Sequence, residues 1–449
     1  MKKEWSVLVI ALAILLAPIP LFAAGGQEAA KETGAVKMTF WHLWGGSRAQ
    51  LIDDMVAKFK AGHPNVDIEV TFTAPNDLQT KVVQAAGTGT LPDVFNMHTG
   101  WYDNLQPADT MLKLDAFLAK DKIDIKSILL EPEWKRSYYD NSVYSLPNVL
   151  AGAQGLLFYN KGLMRKAGLD PEKDAPKNWD DFLRVSKILI KALNQPGKLD
   201  VIVWDPWMHV GQNMIQVYAH MAGFPTVSAD SKTSLFNTPG VIDTARKFDQ
   251  YITEVYGPYG GYKALIEWSS RVAGVDYGAA QVQAFTKEAQ VFYISGSWTI
   301  GQVQAANPKL DMGLIPIPGF KGQHGAAAKH GWSYAINKKV KYPQTAWAFE
   351  KFLTIDPKGN GEFCIAQGRP CPITAVNDDP RYLSQGEIWK SLVAAMKLDY
   401  TPDYNDHFNA LIPWLRDVPA RRASGQSIEE AIGYVHKMFT DYLSDLYKK

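Results

Sequence analysis

The sequence predicts an α/β fold, and three observations support this prediction. Along residues 36–72 a strand pattern, a helix pattern and a second strand pattern follow one another. Because two parallel strands need a crossover of this kind, the unit predicts a parallel pair in one sheet. The chain has 449 residues, enough for two large domains or about three ordinary ones. Hydrophobic residues make up 46% and charged residues 21%, which is typical of a folded protein with a sizeable core.

The first third of the chain has the clearest alternation of strands and helices. Val36 to Phe40 alternates apolar and polar residues and predicts a half-buried strand. Ser47 can cap the helix that follows, and Gly62 ends it. The remaining predicted elements are a strand, a helix and a short strand, over Val66 to Phe72, Leu78 to Ala86 and Pro92 to Phe95.

The middle and the end of the chain are richer in helix. Apolar residues at helical spacing predict helices over Phe182 to Leu193 (capped by Asp180 or Asp181), Trp207 to Ala222, Pro239 to Tyr251 and Gln344 to Leu353. Ser427 and Glu430 have the spacing of a capping box and predict the start of a C-terminal helix. Val291 to Ile294 predicts a buried strand, whereas the two prolines within Met312 to Pro318 predict a connector.

The first residues have the pattern of an export signal. Lys2 and Lys3 precede the apolar run Val7 to Leu16, which is shorter than the roughly 20 residues that span a membrane. We expect residues 1–23 to be a signal peptide and residues 24–35 a flexible leader, with an uncleaved anchor as the alternative. No cysteine lies near the cleavage region, so the sequence predicts a periplasmic protein without a lipid anchor.

Charge, cysteine content and motifs argue against several classes of function. Lys plus Arg is 47 and Asp plus Glu is 46, so the basic excess typical of nucleic-acid binding is missing. Two cysteines are too few for a disulfide scaffold or a Cys-rich zinc module. The sequence has no nucleophile elbow, phosphate loop or His-Glu-x-x-His motif, and His324 and His330 have no third metal ligand in view. We therefore expect no catalytic residue, no cofactor and no metal, although carboxylates are numerous enough to leave a secreted glycoside-active enzyme as an alternative.

Aromatic and polar residues follow two predicted strands, at the point where each strand ends. His42 and Trp44 come after the first strand, and Asn96, His98 and Trp101 follow the short strand of residues 92–95. Because open α/β sheets bind ligands at the carboxyl ends of their strands, these five residues are candidate ligand contacts. A sugar needs flat aromatic faces and polar hydrogen-bonding groups, which this set offers. The alternative for Trp44 is core packing, and the alternative for Asn96, His98 and Trp101 is a plain polar loop.

A second aromatic group lies in the middle of the chain. Trp204, Asp205 and Trp207 place two rings and a carboxylate at a predicted helix start. They are candidate ligand contacts, with a helix cap and core packing as the alternative.

Five parts of the chain resemble the family 1 extracellular solute-binding proteins of ABC importers, the maltodextrin and multiple-sugar binders. They occur in family order: Phe40 to Gly46 with Lys58 to Val70, Ala85 to Phe95, Tyr144 to Asp170 with Pro176 to Phe182, Tyr293 to Val303 with Met312 to Gly319, and His330 to Leu353. Residues 193–266 match the family less closely, and Cys364 and Cys371 stand in a segment that usually lacks cysteines.

The resemblance implies a two-lobe periplasmic binding protein with a ligand cleft between the lobes and three hinge crossings. Carried onto this sequence, the crossings fall near Leu150 to Gly155, Leu314 to Gly319 and Thr354 to Gly361, each rich in apolar residues with Gly or Pro. Lobe one would hold residues 36–150 plus 318–354, and lobe two residues 155–314 plus 360–449.

The resemblance also implies a function and further site residues. It implies a monomer that binds a sugar or an oligosaccharide by hinge closure and delivers it to a membrane permease. Trp298 resembles the tryptophan of the family's Gly-Ser-Trp turn, Trp332 a cleft tryptophan of the opposite lobe, and Arg369 a position near the cleft. The alternatives are core packing for the two rings, a surface salt bridge for Arg369, and a polyamine or phosphate ester as ligand. Cys364 and Cys371 can pair in an oxidising periplasm, with two free buried thiols as the alternative.

Overall fold

We describe the fold from a computed structural model of the chain. It describes residues 32, 34–106, 109–150, 156–207, 214–273, 282–321, 326–328, 331–383, 386–396, 401–403 and 408–447. The predicted signal peptide and most of the predicted leader lie outside these ranges, so both stay predictions. Within the ranges, no helix combines the length and the apolar character that crossing a bilayer requires.

The described residues form twelve strands and nineteen α-helices. The strands are β1 (Val36–His42), β2 (Val66–Phe72), β3 (Val94–His98), β4 (Tyr138–Tyr139), β5 (Ser142–Val143), β6 (Ser145–Pro147), β7 (Leu156–Asn160), β8 (Phe292–Ser295), β9 (Met312–Pro316), β10 (Ala326–Ala328), β11 (Trp332–Ile336) and β12 (Thr401–Asp403). The helices are α1 (Ser47–Gly62), α2 (Pro75–Thr88), α3 (Tyr102–Leu105), α4 (Asp115–Lys120), α5 (Ile125–Ile128), α6 (Glu131–Lys135), α7 (Lys161–Lys166), α8 (Trp179–Leu193), α9 (Met214–Met221), α10 (Pro239–Tyr256), α11 (Gly261–Trp268), α12 (Val282–Thr286), α13 (Thr299–Ala306), α14 (Pro343–Thr354), α15 (Glu362–Ala366), α16 (Pro380–Leu383), α17 (Glu387–Met396), α18 (Phe408–Ala423) and α19 (Ile428–Tyr447).

The first sheet has five strands in the order β2-β1-β3-β11-β6. β1 runs parallel to β2, with Val36 opposite Val66 and His42 opposite Phe72, which confirms the predicted strand–helix–strand unit. β11 runs antiparallel to both β3 and β6. The carboxyl ends of β1, β2 and β3 therefore meet the start of β11 at one edge of the sheet.

The second sheet has three antiparallel strands in the order β8-β7-β9. β9 covers Met312–Pro316, so the prediction of a connector over residues 312–318 is wrong. The two prolines did not prevent a strand because β9 lies at the edge of the sheet, where a missing N–H group costs no hydrogen bond to a further strand. Pro316 is also its last residue, opposite Leu156 of β7.

The chain leaves the first sheet after Pro147 and enters the second at Leu156, an interval that includes the first predicted crossing. The second crossing, from the second sheet back to the first, lies later in the chain than predicted. Trp179 donates its backbone N–H to the carbonyl oxygen of Gly319 at 3.3 Å, and β10 pairs with β12 beside α9. By Gly331 the chain is bonded to Thr99, next to the first sheet. The return thus falls between residues 328 and 331, because residues 314–319 still pack with the second sheet.

The third passage between the sheets also lies later than residues 354–361. Leu130 donates its N–H to the carbonyl oxygen of Pro372 at 3.0 Å, so the chain beyond residue 361 still packs beside the first sheet. Of the elements after residue 361, α17 packs on β9 of the second sheet while its Trp389 stacks on Tyr382 of α16 at 3.9 Å, so the passage lies beyond residue 361. The Gly- and Pro-rich stretch Pro357–Gly361 is instead a single π-helical turn. Gly359 is needed in it, because a Cβ there would lie 2.0 Å from the carbonyl oxygen of Phe352.

The start of α8 differs from the prediction, whereas the start of the last helix confirms it. Asn178 caps α8, since its side-chain oxygen accepts the N–H of Asp181 at 2.9 Å, so neither Asp180 nor Asp181 is the cap. Ser427 donates its N–H to the Glu430 carboxylate at 2.6 Å and its hydroxyl oxygen accepts the N–H of Glu430 at 3.1 Å. This is the predicted capping box, and it fixes the first turn of α19.

Candidate functional site

Two buried polar side chains hold the turn that follows β1. The Nδ1 atom of His42 accepts the backbone N–H of Trp44 at 3.2 Å. Asn96 accepts the N–H of Leu43 at 3.3 Å through its oxygen and donates its amide to the Ser333 carbonyl at 3.0 Å. Both side chains are almost fully buried, so the prediction that they contact ligand is not supported. They position the turn instead, because a buried polar group needs partners and the turn supplies them.

The charge state of His42 follows from its surroundings. Burial lowers its pKa from 6.5 to about 4, and the Asp53 carboxylate acts in the opposite direction. The imidazole is therefore neutral at neutral pH, and the N–H of Trp44 directed at Nδ1 selects the tautomer that carries its proton on Nε2.

The indole of Trp44 is also buried, contrary to the prediction that it faces ligand. It is 2% exposed, and its Nε1–H donates to the hydroxyl of Tyr334 at 3.0 Å. The ring of Phe363 packs edge-on against it, with 5.6 Å between the centroids. Two guanidinium groups, from Arg48 and Arg369, lie within 5.2 and 6.0 Å of its ring centroid. The indole is thus a buried wall beside two positive charges.

Three rings meet where β3 ends and β11 begins, and we call His98, Trp101 and Trp332 the aromatic cluster. Trp332 stands directly opposite His98 in the sheet register. Its ring contacts His98 at 5.1 Å and Trp101 at 5.6 Å, edge-on in both cases. Trp101 is buried, whereas His98 and Trp332 are half-buried. The sheet therefore brings three sequence-predicted residues together and holds one indole edge-on between two neighbours.

Phe72 belongs to the same edge, although the sequence prediction missed it. It ends β2 and is 49% exposed, the most exposed of three large apolar side chains that are exposed in the described part of the chain. Its ring lies 5.9 Å from that of His42, and a Cβ at Gly45 would lie 2.9 Å from it. The alternating pattern of β2 assigns Phe72 to the face of the strand that packs on the core. Its position at the carboxyl end of the strand could instead have indicated the candidate ligand-binding end of the sheet.

Trp298 lies on the other sheet, between β8 and α13. Its ring packs against the backbone of Gly296, since a Cβ there would lie 2.1 Å from the indole. The side chain is half-buried. One face of the indole is therefore covered by the turn, as a fixed stacking surface requires.

The structure favours core packing for the second aromatic group. Trp204 is 2% exposed and contacts the rings of Phe182 at 5.2 Å and Tyr251 at 5.3 Å. Asp205 accepts the backbone N–H of Trp207 at 2.9 Å, and the indole of Trp207 is buried as well. The ligand role predicted for Trp204 is corrected, because the surrounding rings leave it no open face. Asp205 acts as the cap of this turn.

The two cysteines lie beside Arg369 as buried free thiols, the alternative to pairing given above. Cys364 directs its thiol at the carbonyl oxygen of Asn148 and at Asn360, both at 3.8 Å. Burial and a hydrogen bond with Cys364 raise the pKa of the Cys371 thiol. A disulfide in the exported protein stays a prediction.

Metal chemistry finds no support in the described part of the chain. Those residues contain no group of three His, Cys, Asp or Glu side chains placed to hold an ion. His324 and His330 lie outside the described residues, as do most of the residues of the first predicted crossing.

Comparison with known proteins gives a consistent family. The family profile described as bacterial extracellular solute-binding protein matches residues 45–356. The multiple sugar-binding protein of Streptococcus mutans is 24% identical over 334 residues, 72% of each chain. The maltotriose-binding protein of Pyrococcus abyssi is 23% identical over 382 residues, 81% of this chain and 72% of that one.

A solved structure, CpMnBP1 with mannotriose bound, shares the fold with a TM-score of 0.74 at 21% identity. The alignment covers 90% of this chain and 100% of that one. With the profile matching more than half of the chain and the two-sheet fold shared along nearly all of it, this chain belongs to the bacterial extracellular solute-binding protein family.

Proposed function

We propose that this protein is the exported substrate-binding component of an ABC importer and that it binds a sugar or an oligosaccharide. The observation that carries the proposal is the half-buried indole of Trp332, held edge-on by His98 and Trp101 at the ligand-binding edge of the first sheet. Such a ring offers a flat apolar face to the C–H side of a sugar. The relatives support this class of ligand, since their names refer to multiple sugars, maltotriose and mannotriose.

The proposed mechanism is closure of two lobes around the ligand. Trp332 belongs to the first sheet and Trp298 follows β8 of the second, so we propose that the two rings are carried by different bodies. A ligand that contacts both bodies stabilises the closed state by its greater affinity for that state. A dissociation constant near 1 μM, about −8 kcal/mol, suits capture from dilute solution and later release to a permease.

Calorimetric titration of two variants tests the proposal. Trp332→Ala and Trp298→Ala should each weaken binding of a malto- or manno-oligosaccharide by about 2–4 kcal/mol, the range for a central aromatic anchor. Removal of Trp332 should lower the free energy of unfolding by less than it lowers the free energy of binding. The reason is that the ring contacts of Trp332 with His98 and Trp101 are each worth only about 0.5–1.5 kcal/mol. The matched control is Trp134→Ala, since that indole is also half-buried but lies on α6.

Three readouts separate the outcomes. Affinity unchanged in both cleft variants, with melting temperatures lowered as for core residues, would remove the two rings from the site. Small-angle scattering should show a smaller radius of gyration when the ligand is added, and an unchanged radius would contradict closure. Recovery of the intact oligosaccharide after long incubation distinguishes binding from the glycoside-active alternative, which requires turnover.

A further inference from the structure

Two arginines without a carboxylate partner lie against the indole of Trp44. Arg48 is in the first turn of α1, with its guanidinium carbon 5.2 Å from the ring centroid. Arg369 reaches the same indole from the chain beyond α15, at 6.0 Å. No carboxylate of the described residues forms an ion pair with either guanidinium, and the Nε of Arg369 has no hydrogen-bond partner among them. Both positive charges thus stand uncompensated within the described chain.

A neighbouring arginine shows that the same region pairs another buried guanidinium with a carboxylate. Arg136 forms an ion pair with Glu133, and the two side chains are 2% and 1% exposed. Arg136 also donates to the carbonyl oxygen of Val149 at 2.7 Å. Arg136 therefore has a carboxylate partner, although its Nε and Nη1 atoms have no hydrogen-bond partner among the described residues, whereas Arg369, which is 5% exposed, has no such carboxylate among them.

The positions of Arg48 and Arg369 are electrostatically unfavourable for two positive charges. Burial lowers the pKa of Arg369 to about 10, with the positive charge of Arg48 acting in the same direction and Cys364, Tyr382 and Glu133 opposing. Burial also lowers the pKa of Arg48. Both groups remain charged at neutral pH and repel each other. A buried charge without a partner is unfavourable, so an anion that enters between them relieves this cost.

The amino end of α1 adds to the positive potential. This helix has 16 residues and begins after Gly46, with no side-chain cap and no acidic residue in its first turn. Its first N–H groups carry the positive end of the helix dipole, which favours an anion. A Cβ at Gly46 would meet no atom within 4 Å, so space is open beside this helix end.

Building on the sugar-binding function proposed above, we propose that Arg48, Arg369 and the amino end of α1 bind an anionic group on the solute. The group is a carboxylate or a phosphate monoester attached to a sugar or polyol. A guanidinium presents its N–H groups as a planar fork that matches either anion in a bidentate way, and the indole of Trp44 forms the wall behind it. The site lies at the same sheet edge as Phe72, so one acidic sugar can stack on a ring and place its charge between the arginines.

The test compares matched acidic and neutral ligands by calorimetric titration of the full chain. One pair is digalacturonate with galactobiose, and the other is glycerol 3-phosphate with glycerol. The wild type should bind one acidic member at least tenfold more tightly than its neutral counterpart, and the pair that responds identifies carboxylate or phosphate as the source. Arg48→Gln should weaken that binding 10- to 100-fold. The half-exposed position of Arg48 favours normal folding of this variant.

Two controls decide the result. Arg184→Gln removes an arginine from the first turns of α8, where it is 56% exposed and paired with Asp181, and should change no affinity. Arg369→Lys keeps the positive charge but loses the planar fork of the guanidinium, and it should weaken binding of the acidic ligand without changing binding of the neutral one. Neutral oligosaccharides that bind as well as acidic ones, with Arg48→Gln affecting neither, would overturn the anion site and leave sugar binding intact. A wild type that binds neither these solutes nor neutral oligosaccharides would overturn both.

Discussion

Replacement of His42 by asparagine should remove part of the protein's sensitivity to acid. In the folded protein, burial lowers the pKa of His42 from 6.5 to about 4. The unfolded chain keeps the ordinary value, so between these pH values the unfolded state binds a proton that the native imidazole does not. Stability that depends on the neutral ring is therefore present above pH 6.5 and is lost as the pH falls toward 4.

The size of the effect follows from this difference in pKa. Each pKa unit corresponds to about 1.4 kcal/mol, so the fall from 6.5 to about 4 sets an upper limit of about 3 kcal/mol. Just over half of it is lost between pH 7 and pH 5, because the unfolded-state imidazole gains most of its proton in that interval while the native one stays neutral. Allowing for screening by solvent, we expect His42 to account for about 1–2 kcal/mol over this range.

Urea unfolding at pH 7 and pH 5 measures this contribution. In His42→Asn, the side-chain oxygen can accept the N–H of Trp44 in place of Nδ1, so the turn keeps its hydrogen bond while the titration is removed. Between pH 7 and pH 5, the free energy of unfolding should fall by about 1–2 kcal/mol more in the wild type than in the variant. The control His63→Asn replaces a half-buried histidine that stacks on Phe59 and should behave as the wild type. Equal losses in wild type and His42→Asn would refute the assignment of a buried neutral ring.

Two further variants test local packing. Gly296→Ala should displace the indole of Trp298, because a Cβ there would lie 2.1 Å from the ring. Fluorine NMR of fluorotryptophan-labelled protein should show the Trp298 signal shifted, whereas Gly62→Ala, with no atom within 4 Å, should leave it in place. Ser427→Ala should destabilise the protein by about 1 kcal/mol through loss of the α19 cap. Urea unfolding with Ser444→Ala as an exposed control checks this, and equal stability of the two variants would contradict the capping role.

Local sequence patterns predicted those elements whose residues contact mainly their own segment and one apolar face of the core. Val36 to Phe40 and Val66 to Phe72 alternate because one side of each strand faces the core, and β1 and β2 formed where expected. The capping box of Ser427 and Glu430 depends on atoms three residues apart, so the sequence contains all of it.

Long-range packing decided the elements that the sequence prediction missed. Whether the Pro-containing residues 312–316 become a strand depends on a partner, and β7 lies more than 150 residues earlier in the chain. The later crossings have the same cause, since Gly319 is held by Trp179 and Pro372 by Leu130. Gly and Pro indicate where a helix breaks, but they do not specify beside which of the two sheets the chain continues.

The candidate site was predicted in place but not in detail. The residues predicted to follow β1 and β3 do lie at the carboxyl end of the first sheet, whereas their contact with a ligand stays a prediction. The sequence could not show that Asn96 and His42 serve the backbone, because their partners include Ser333 on a distant strand. Nor could it show that the tip of β2 leaves Phe72 half-exposed, since alternation alone assigns that ring to the core.

The hydrogen bonds around the turn after β1 bear on how tightly a solute can be held. The backbone of Leu43 and Trp44 is fixed by Asn96 and His42, and the indole by Tyr334. The conformational entropy of this wall is therefore lost during folding and not at the moment of capture, so affinity is not reduced by ordering it. Under the closure proposed above, this turn needs no further ordering on binding, which favours rapid capture and makes the release rate the quantity that distinguishes one solute from another.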